Sequence, residues 1–580
     1  MAFLRTVLAS AASAVVLLAA VDAVATRIGH PSRPADPWTF LEGLALWTVP
    51  ALAAATLATA LARRLVILRA PRDDPAPAAP VVAALAAAPV FAHAALNAFT
   101  RIGGDLSGLA SPKPFALGAA LVLGSLALAL VASRLLEGRG AATRGGLLAA
   151  IALVGLFLPL GGQPVPARPA APAGAPNLLL LVWDTARSQS FSFLGGTRPT
   201  TPELERFANE ALVFANARSV THFTFTSHLS MLTGRYPTEH GARLLDTRHV
   251  PEVGGETVAQ ELQRAGYRTG GFVGTGVLRA TTGIAEGFDA YDDEVDPAGT
   301  STYLWALVHD LQSLLIRKRG PGWNDGEPHW IQDFQRPADD VLDAARAFIE
   351  NGDERPWFVM VNMFDVHWPY TPSDAARERF ATEYDGVVTG HGSRANSFPE
   401  GHVMSAEDDA HLLSLYEAEF ADLDARVAAF LEALDLPNSN TAVIVTSDHG
   451  EAFGEGGRYE HEDILEPQVR VPFVLRLPGA APRAGRVDAP VSGIDVAPTL
   501  RALAGLPQPE GQLGLDLSSV DVPPERVVYV EDRDHHDAGK AQFAAYAGRF
   551  KLVWLDALHD DRFELYDLAV DPSGLVDRTD

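Results

Sequence analysis

Two apolar runs that each stop at a carboxylate constrain this chain more than any other feature. Residues 177–182 run Asn-Leu-Leu-Leu-Leu-Val and end at Asp184; residues 442–446 run Ala-Val-Ile-Val-Thr and end in Asp448-His449. A run of this length with no polar alternation is a strand covered on both faces, the habit of parallel sheets held between helices. Residues 268–273, 357–364 and 471–477 have the same character. Helical segments lie between them: 202–211 after a Thr201 cap, 257–265 ending at Gly266, 337–350 ending before Gly352, and one or two helices within 406–434. The alternation predicts an α/β sandwich with a mostly parallel central sheet. Short strands at 526–530, 543–546, 550–554 and 563–566 predict a small antiparallel subdomain after them.

Residues 1–165 follow other rules. Five apolar stretches, at roughly 6–26, 38–62, 79–100, 115–135 and 146–162, stand in Ala/Leu/Val-rich sequence, and a spanning helix needs about 20 such residues. Arg5, Arg63, Arg64, Arg69, Arg72, Arg134, Arg139 and Arg144 flank one side of these spans. Arg27, Arg33, Arg101 and Lys113 flank the other. The positive-inside rule then puts the amino terminus in the cytoplasm and everything after residue 165 outside. A cleaved signal peptide ending near Ala23 to Ala25, in place of the first span, leaves that outcome unchanged. The expected location is a multi-pass protein of the cell inner membrane with an extracytoplasmic (periplasmic) catalytic domain, its partners being membrane lipids or a lipid-linked or glycan substrate. Asp22, Glu42, His93 and Asn97, inside the spans, either pair within the bundle or face a lipid headgroup.

The expected organisation is therefore a five-helix transmembrane domain at 1–165, a Pro/Ala linker at 166–176, a catalytic domain at 177–519 and the antiparallel subdomain at 520–580. Such a linker is extended and semi-rigid. The first 165 residues hold 12 basic and 7 acidic side chains, the remainder 34 and 65. So acidic a soluble part argues against nucleic acid as a partner. The chain has no cysteine, which excludes a disulfide-linked partner, thiolate metal ligands and a cysteine nucleophile.

In an open parallel sheet, ligands bind beyond the carboxyl ends of the strands. Asp184, His367 and the Asp448-His449 pair stand at such ends, and the hydroxyls of Thr224, Thr226 and Ser227 precede a helical segment at 229–233. An aliphatic hydroxyl is a weak nucleophile until a divalent cation lowers its pKa. Thr224, Asp184, Asp448 and His449 form the candidate ligand set. A helix amino terminus adds partial positive charge for an anionic group. His367 and His461 can protonate a leaving oxygen, and Arg187 can bind an anion. The chemistry indicated is ester cleavage or transfer at phosphorus or sulfur.

These residues resemble the sulfatase family of the alkaline phosphatase superfamily. The resemblance runs in order from about residue 177 to the end. It rests on Asn177–Asp184, Arg198-Pro199-Thr200-Thr201-Pro202, Thr224 through Leu232-Thr233-Gly234-Arg235-Tyr236-Pro237 to Gly241, Asp365-Val366-His367-Trp368-Pro369-Tyr370, Thr446–Glu455, and Glu564-Leu565-Tyr566-Asp567. It implies an alkaline-phosphatase-like sandwich, with Asp184, Asp448 and His449 as metal ligands, Thr224 as nucleophile, His367 and His461 at the substrate or leaving group, and Arg187 and His228 binding substrate. Three departures stand out. Thr224 occupies the Cys or Ser position that sulfatases mature to formylglycine, and oxidation of threonine would give a ketone. His228 replaces the motif arginine, and Trp183 replaces the first carboxylate of an Asp-Asp pair. A Thr nucleophile with an Asp-His pair is similar to membrane-anchored phosphoglycerol and phosphoethanolamine transferases. The cation expected is Mn, Zn, Mg or Ca, histidine suiting the first two better. Three readings stay open: a phosphoester or phosphodiester enzyme, which is favoured; a sulfuric ester hydrolase without formylglycine; and a non-catalytic envelope protein of this fold.

Overall fold

The computed structural model describes residues 169–242, 256–293, 336–390, 401–519, 522–532, 540–557 and 562–579. The five apolar stretches lie outside these residues. Among the described residues no helix is long and apolar enough to cross a membrane.

The centre of the main sheet is β1 (Asn177–Trp183), every residue of which after Asn177 is buried. Further strands are β2 (Leu212–Arg218), β3 (Arg268–Val273), β4 (Ala290–Asp292), β5 (Trp357–Met363) and β6 (Thr441–Thr446). A two-stranded hairpin, β7 (Ala452–Phe453) and β8 (Tyr459–Glu460), precedes β9 (Arg470–Val471), β10 (Phe473–Arg476) and β11 (Gly485–Ser492). The order across the sheet is β11-β2-β10-β6-β1-β5-β3-β4, with β9 also paired to β2. Strands β6, β1, β5, β3 and β4 are parallel, as is β11 to β2. The sheet is nonetheless mixed, because β9 and β10 run against their neighbours. The single run expected at 471–477 is broken at Pro472, which has no N–H to give a ladder.

Helices cover both faces. They are α1 (Pro202–Ala208), α2 (Thr224–Thr233), α3 (Val258–Arg264), α4 (Ala338–Glu350), α5 (Ala406–Ala433) and α6 (Val496–Leu503). The region expected to hold one or two helices is the single 28-residue α5, capped by Ser405 accepting from the Asp408 N–H. The pleat of β1 divides the core in two. Leu179, Leu181 and Trp183 pack with Leu204 of α1, Val341 of α4 and Phe420 of α5. Leu178, Leu180 and Val182 pack with Leu229 of α2, Leu262 of α3 and Leu500 of α6. Each of these leucines contributes about 2 kcal/mol by leaving water.

A four-stranded antiparallel sheet follows: β12 (Val527–Asp532), β13 (Lys540–Ala547), β14 (Phe550–Ala557) and β15 (Arg562–Asp567), paired in that order. Its inner face, Val528, Val530, Ala544, Tyr546 and Val553, packs on Ile464 and Val469. A buried polar knot fixes the contact. Glu466 lies 2.8 Å from Arg218 of β2 and 3.5 Å from Lys551 of β14, and accepts from the Tyr546 hydroxyl at 2.8 Å. The result is an alkaline-phosphatase-like α/β fold with a mixed sheet and a carboxyl-terminal antiparallel sheet.

Candidate metal centre and active site

The register of the three central strands assembles the site. Val182 of β1 stands opposite Asn362 of β5 on one side and Thr446 of β6 on the other. The next residues of each strand therefore leave the sheet together at one edge. Asp184 follows β1, Phe364 to His367 follow β5, and Asp448-His449 follow β6. The exit from β1 is strained: Thr185 has φ 56°, a left-handed conformation that a β-branched residue avoids. Three hydrogen bonds hold it. Its N–H donates to Asp448 Oδ1 at 3.1 Å, its hydroxyl to the Val366 carbonyl at 3.0 Å, and its carbonyl accepts from the Tyr416 hydroxyl at 2.7 Å.

The helix that carries Thr224 begins earlier than its sequence suggests. Helix α2 starts at Thr224 itself, because Phe223 is extended and its carbonyl accepts from the Ser227 N–H. Thr224, Thr226 and Ser227 thus form the first turn, and the N–H groups of residues 224 to 226, before the first intrahelical bond, have no acceptor within the helix. Ser227 Oγ donates to the Asp448 carbonyl at 2.7 Å and latches the helix to the end of β6.

Asp184, Asp448 and His449 offer ligand atoms that all lie within 4.8 Å of one another. Thr224 Oγ1 is 3.2 Å from His449 Nε2. The donor set fits a divalent cation on two observations. First, Asp184 Oδ1 and Asp448 Oδ2 are buried and have no hydrogen-bond partner. Second, His449 Nδ1 donates to the Gly450 carbonyl at 3.1 Å, which leaves Nε2 with its lone pair toward Thr224. The electrostatics agree. Burial, then the nearby Asp448 charge, holds the Asp184 carboxyl well above its usual range, and burial raises Asp448 to about 6. Burial, reinforced by His461, keeps His449 neutral. Asn362 Nδ2 donates to Asp184 Oδ2 at 2.9 Å and fixes that carboxylate.

Around this centre stand more histidines. His367 and His461 meet at 5.2 Å between ring centres, and His461 and His449 at 4.5 Å. His367 Nδ1 donates to the Trp368 carbonyl at 2.6 Å, and burial holds its pKa down to about 3. His461 is the more open, 23 % exposed, with Nδ1 3.4 Å from Glu451 Oε1. Its backbone is strained on one side, Glu460 having φ 57°. On the other side its carbonyl meets Nδ1 of the buried His222. The second nitrogen of His222 lies 3.3 Å from Asp532 of β12. Burial, the largest single influence, lowers the His222 pKa, but Asp532, the His461 carbonyl and Asp463 together outweigh it and the net shift is upward.

Two residues expected to bind substrate adjoin the centre with their side chains engaged by the protein itself. His228, one helical turn after Thr224, points inward: its Nδ1 donates to the Thr224 carbonyl at 2.8 Å and its Nε2 lies 3.4 Å from Asn362. It is fully buried, with its pKa lowered to about 4 by burial. Arg187 is engaged by Glu455 at 2.8 Å and Ser190 at 3.2 Å, with its guanidinium 5.0 Å over the Phe453 ring. It braces the loop after His449. Conversely, Asn362, His222 and Asp532 belong to the site without having been singled out. Asn362 carried a signal, an amide within the otherwise apolar run of β5. The His222–Asp532 pair carried none, because the antiparallel sheet supplies one partner.

The sulfatase family profile matches residues 176–506, more than half of the chain and all of the residues just described except His222's partner Asp532. The chain belongs to the sulfatase family. A second profile, the carboxyl-terminal region of N-sulphoglucosamine sulphohydrolase, matches residues 454–579 and so covers the antiparallel sheet. Among curated relatives, an ulvan-active sulfatase of Formosa agariphila is 26 % identical over 60 % of this chain and 65 % of its own length. A choline-sulfatase of Rhizobium meliloti is 26 % identical over 70 % of this chain and 84 % of its own. Of these two, the chain thus matches slightly less than two thirds of the first and most of the second. The phosphonate monoester hydrolase of Agrobacterium radiobacter has the same fold, with a TM-score of 0.51 at 18 % identity over 69 % of this chain and 91 % of that one.

Proposed function

We propose that this sulfatase-family enzyme is a metal-dependent, membrane-anchored hydrolase or transferase that acts on a phosphoester or phosphodiester through Thr224. The observation that carries the proposal is the convergence of the Thr224 hydroxyl, the His449 Nε2 lone pair and two partnerless carboxylate oxygens at one point. Asp184, Asp448, His449 and Thr224 would hold a divalent cation, which lowers the pKa of a hydroxyl and offsets anionic charge. Thr224 Oγ1, its proton given up to solvent, would attack the phosphorus as the bond to the leaving oxygen breaks and that oxygen takes a proton from His461, leaving the group esterified to Thr224. The first turn of α2 faces the anionic oxygens with unpaired N–H groups.

His461 is the better acid for the leaving oxygen. Glu451 beside Nδ1 supports a proton on the ring, and the side chain is the most open of the cluster. His367, with Nδ1 donating to a carbonyl and a pKa near 3, presents a lone pair and so accepts a hydrogen bond from substrate. In the second half-reaction His461 takes the proton of the incoming hydroxyl: water in a hydrolase, a lipid or glycan hydroxyl in a transferase. The five apolar stretches and their charge bias support a lipid-linked donor or acceptor in the periplasm. The test is intact mass spectrometry after incubation with a lipid-linked phosphodiester. An adduct on wild type, absent from Thr224→Ala, is the expected result, and no adduct on either would sink the covalent route.

The curated relatives named as sulfatases favour a second reading, hydrolysis of a sulfate ester without formylglycine. The fold itself does not decide, since a phosphonate monoester hydrolase shares it. Parallel turnover of an aryl sulfate, an aryl phosphomonoester and an aryl phosphodiester separates the two, with the diester expected to be fastest.

A further inference from the structure

Two buried side chains grip the backbone that carries His461, and one of them is backed by the antiparallel sheet. Glu460, just before His461, has φ 57°, a left-handed conformation that a residue with a side chain keeps only where its surroundings impose it. The Glu460 carbonyl accepts from the amide of the buried Gln468 at 3.0 Å. The His461 carbonyl accepts from Nδ1 of His222, whose ring packs on Phe223 at 3.9 Å between centres. Behind His222 stands Asp532, with Oδ1 3.3 Å from Nε2, and both side chains are shut off from solvent. The end of β12 that carries Asp532 is stapled to the segment leading into Thr224. The Glu531 N–H donates to the Val220 carbonyl at 2.7 Å. The Glu531 carboxylate accepts from the Thr238 N–H at 2.8 Å and from its hydroxyl at 2.9 Å. Asp532 therefore meets His222 at a fixed place.

We propose that His222 and Asp532 are positioning residues for His461, holding its backbone so that the imidazole meets the leaving oxygen. The proposal rests on the reading of His461 as the acid for that oxygen. It adds that the carboxyl-terminal sheet is part of the active site, since Asp532 is a residue of β12. Two arguments favour a role in positioning. A buried histidine–carboxylate pair is usually no more stabilising than apolar side chains of the same volume, so stability alone does not account for it. The pair is also no proton relay, because Nδ1 of His222 meets a carbonyl oxygen, which accepts a hydrogen bond and takes no proton. What the pair supplies is a fixed location for the His461 peptide, and an acid must stand within hydrogen-bond reach of the oxygen it protonates.

The test compares two diesters on the full chain, methyl 4-nitrophenyl phosphate and methyl phenyl phosphate. Nitrophenolate departs with little help from an acid, whereas phenolate needs more. His222→Leu removes the donor to the His461 carbonyl. His222→Asn keeps an amide N–H where Nδ1 stands. Asp532→Asn, almost unchanged in shape, serves if the leucine variant does not fold. The expected result is that kcat of His222→Leu falls about tenfold further on the phenyl diester than on the nitrophenyl diester, with KM little changed. His222→Asn should recover most of that difference, and Asp532→Asn should show the same bias in smaller measure. Equal losses on the two diesters, no loss on either, or an asparagine variant no better than leucine overturns the positioning role alone. His461→Ala checks the underlying reading: it should show the same bias, and equal losses there remove His461 as the acid and the proposal with it. Wild type that cleaves neither diester overturns the phosphodiester reading, and the same comparison on 4-nitrophenyl and phenyl sulfate then decides the positioning role. Inactivity on all of these esters overturns both together.

Discussion

Thr224 sits where two demands meet: its hydroxyl must reach the ligand atoms, and its backbone must begin a helix. Thr224→Ala keeps the second and loses the first, so turnover should fall by at least about a thousandfold with folding intact. Thr224→Ser should retain measurable activity, and an alanine variant as active as wild type would remove Thr224 from the mechanism. The paired carboxylates give a prediction in pH. Burial raises Asp448 from an ordinary 3.8 to about 6, and Asp184 also upward. An acid whose folded pKa lies above its unfolded value stabilises the fold while protonated, and that contribution is lost as pH rises through the folded pKa. Metal-free protein should therefore lose stability from this site between about pH 4 and 6. A divalent cation needs both carboxylates ionised, so the Tm increase it produces should be small near pH 5 and grow toward pH 8, in the order of about these values. Differential scanning fluorimetry with and without Mn²⁺ or Zn²⁺ checks the sign. Asn362→Leu, which removes the amide that orients Asp184, should weaken cation affinity about 10- to 100-fold. Isothermal titration measures it.

Strands β1, β5 and β6 were legible because each is buried on both faces, so apolar character alone marks them. The polar residues at their ends then marked Asp184, His367, Asp448 and His449. Strands β2 and β11 were not legible as strands. β11 carries Arg486, Asp488 and Pro490 and is exposed over its first half, so its pattern is that of a loop. The start of α2 was missed because Thr and Ser are weak helix formers, and here the Ser227 latch to the Asp448 carbonyl overrides propensity. His228 and Arg187 could be placed only after their neighbours were known. At this scale the firmest energetic statement concerns the knot under the antiparallel sheet. Arg218 and Glu466 are almost fully buried, and removing one partner strands the other's charge. Glu466→Ala should cost about 3–5 kcal/mol, whereas the triple change Arg218→Met, Glu466→Leu and Lys551→Met, which leaves neither buried cation stranded, should recover much of it. Urea unfolding of the two variants distinguishes a structural knot from an incidental contact.

Across the whole molecule, the described residues possess their own two-sided core and their own polar ties, so residues 169–580 should fold without the first 165. Such a fragment should turn over a soluble aryl phosphodiester at a rate within a few-fold of the full chain, yet lose most activity on a lipid-borne substrate in vesicles. Equal loss on both substrates would show that residues 1–165 act on the site itself. The ligand set has a consequence for how the protein matures. Thr224 and His449 are 225 residues apart in sequence, and Asp184 comes from a third loop. No emerging portion of the chain can assemble these atoms, and no local peptide can keep them once they separate. On the proposed metal dependence, loading of the ion would wait for the finished fold, so the cation that armed the enzyme would be chosen by the fluid in which folding ends, and scarcity of it there would leave the protein intact but silent.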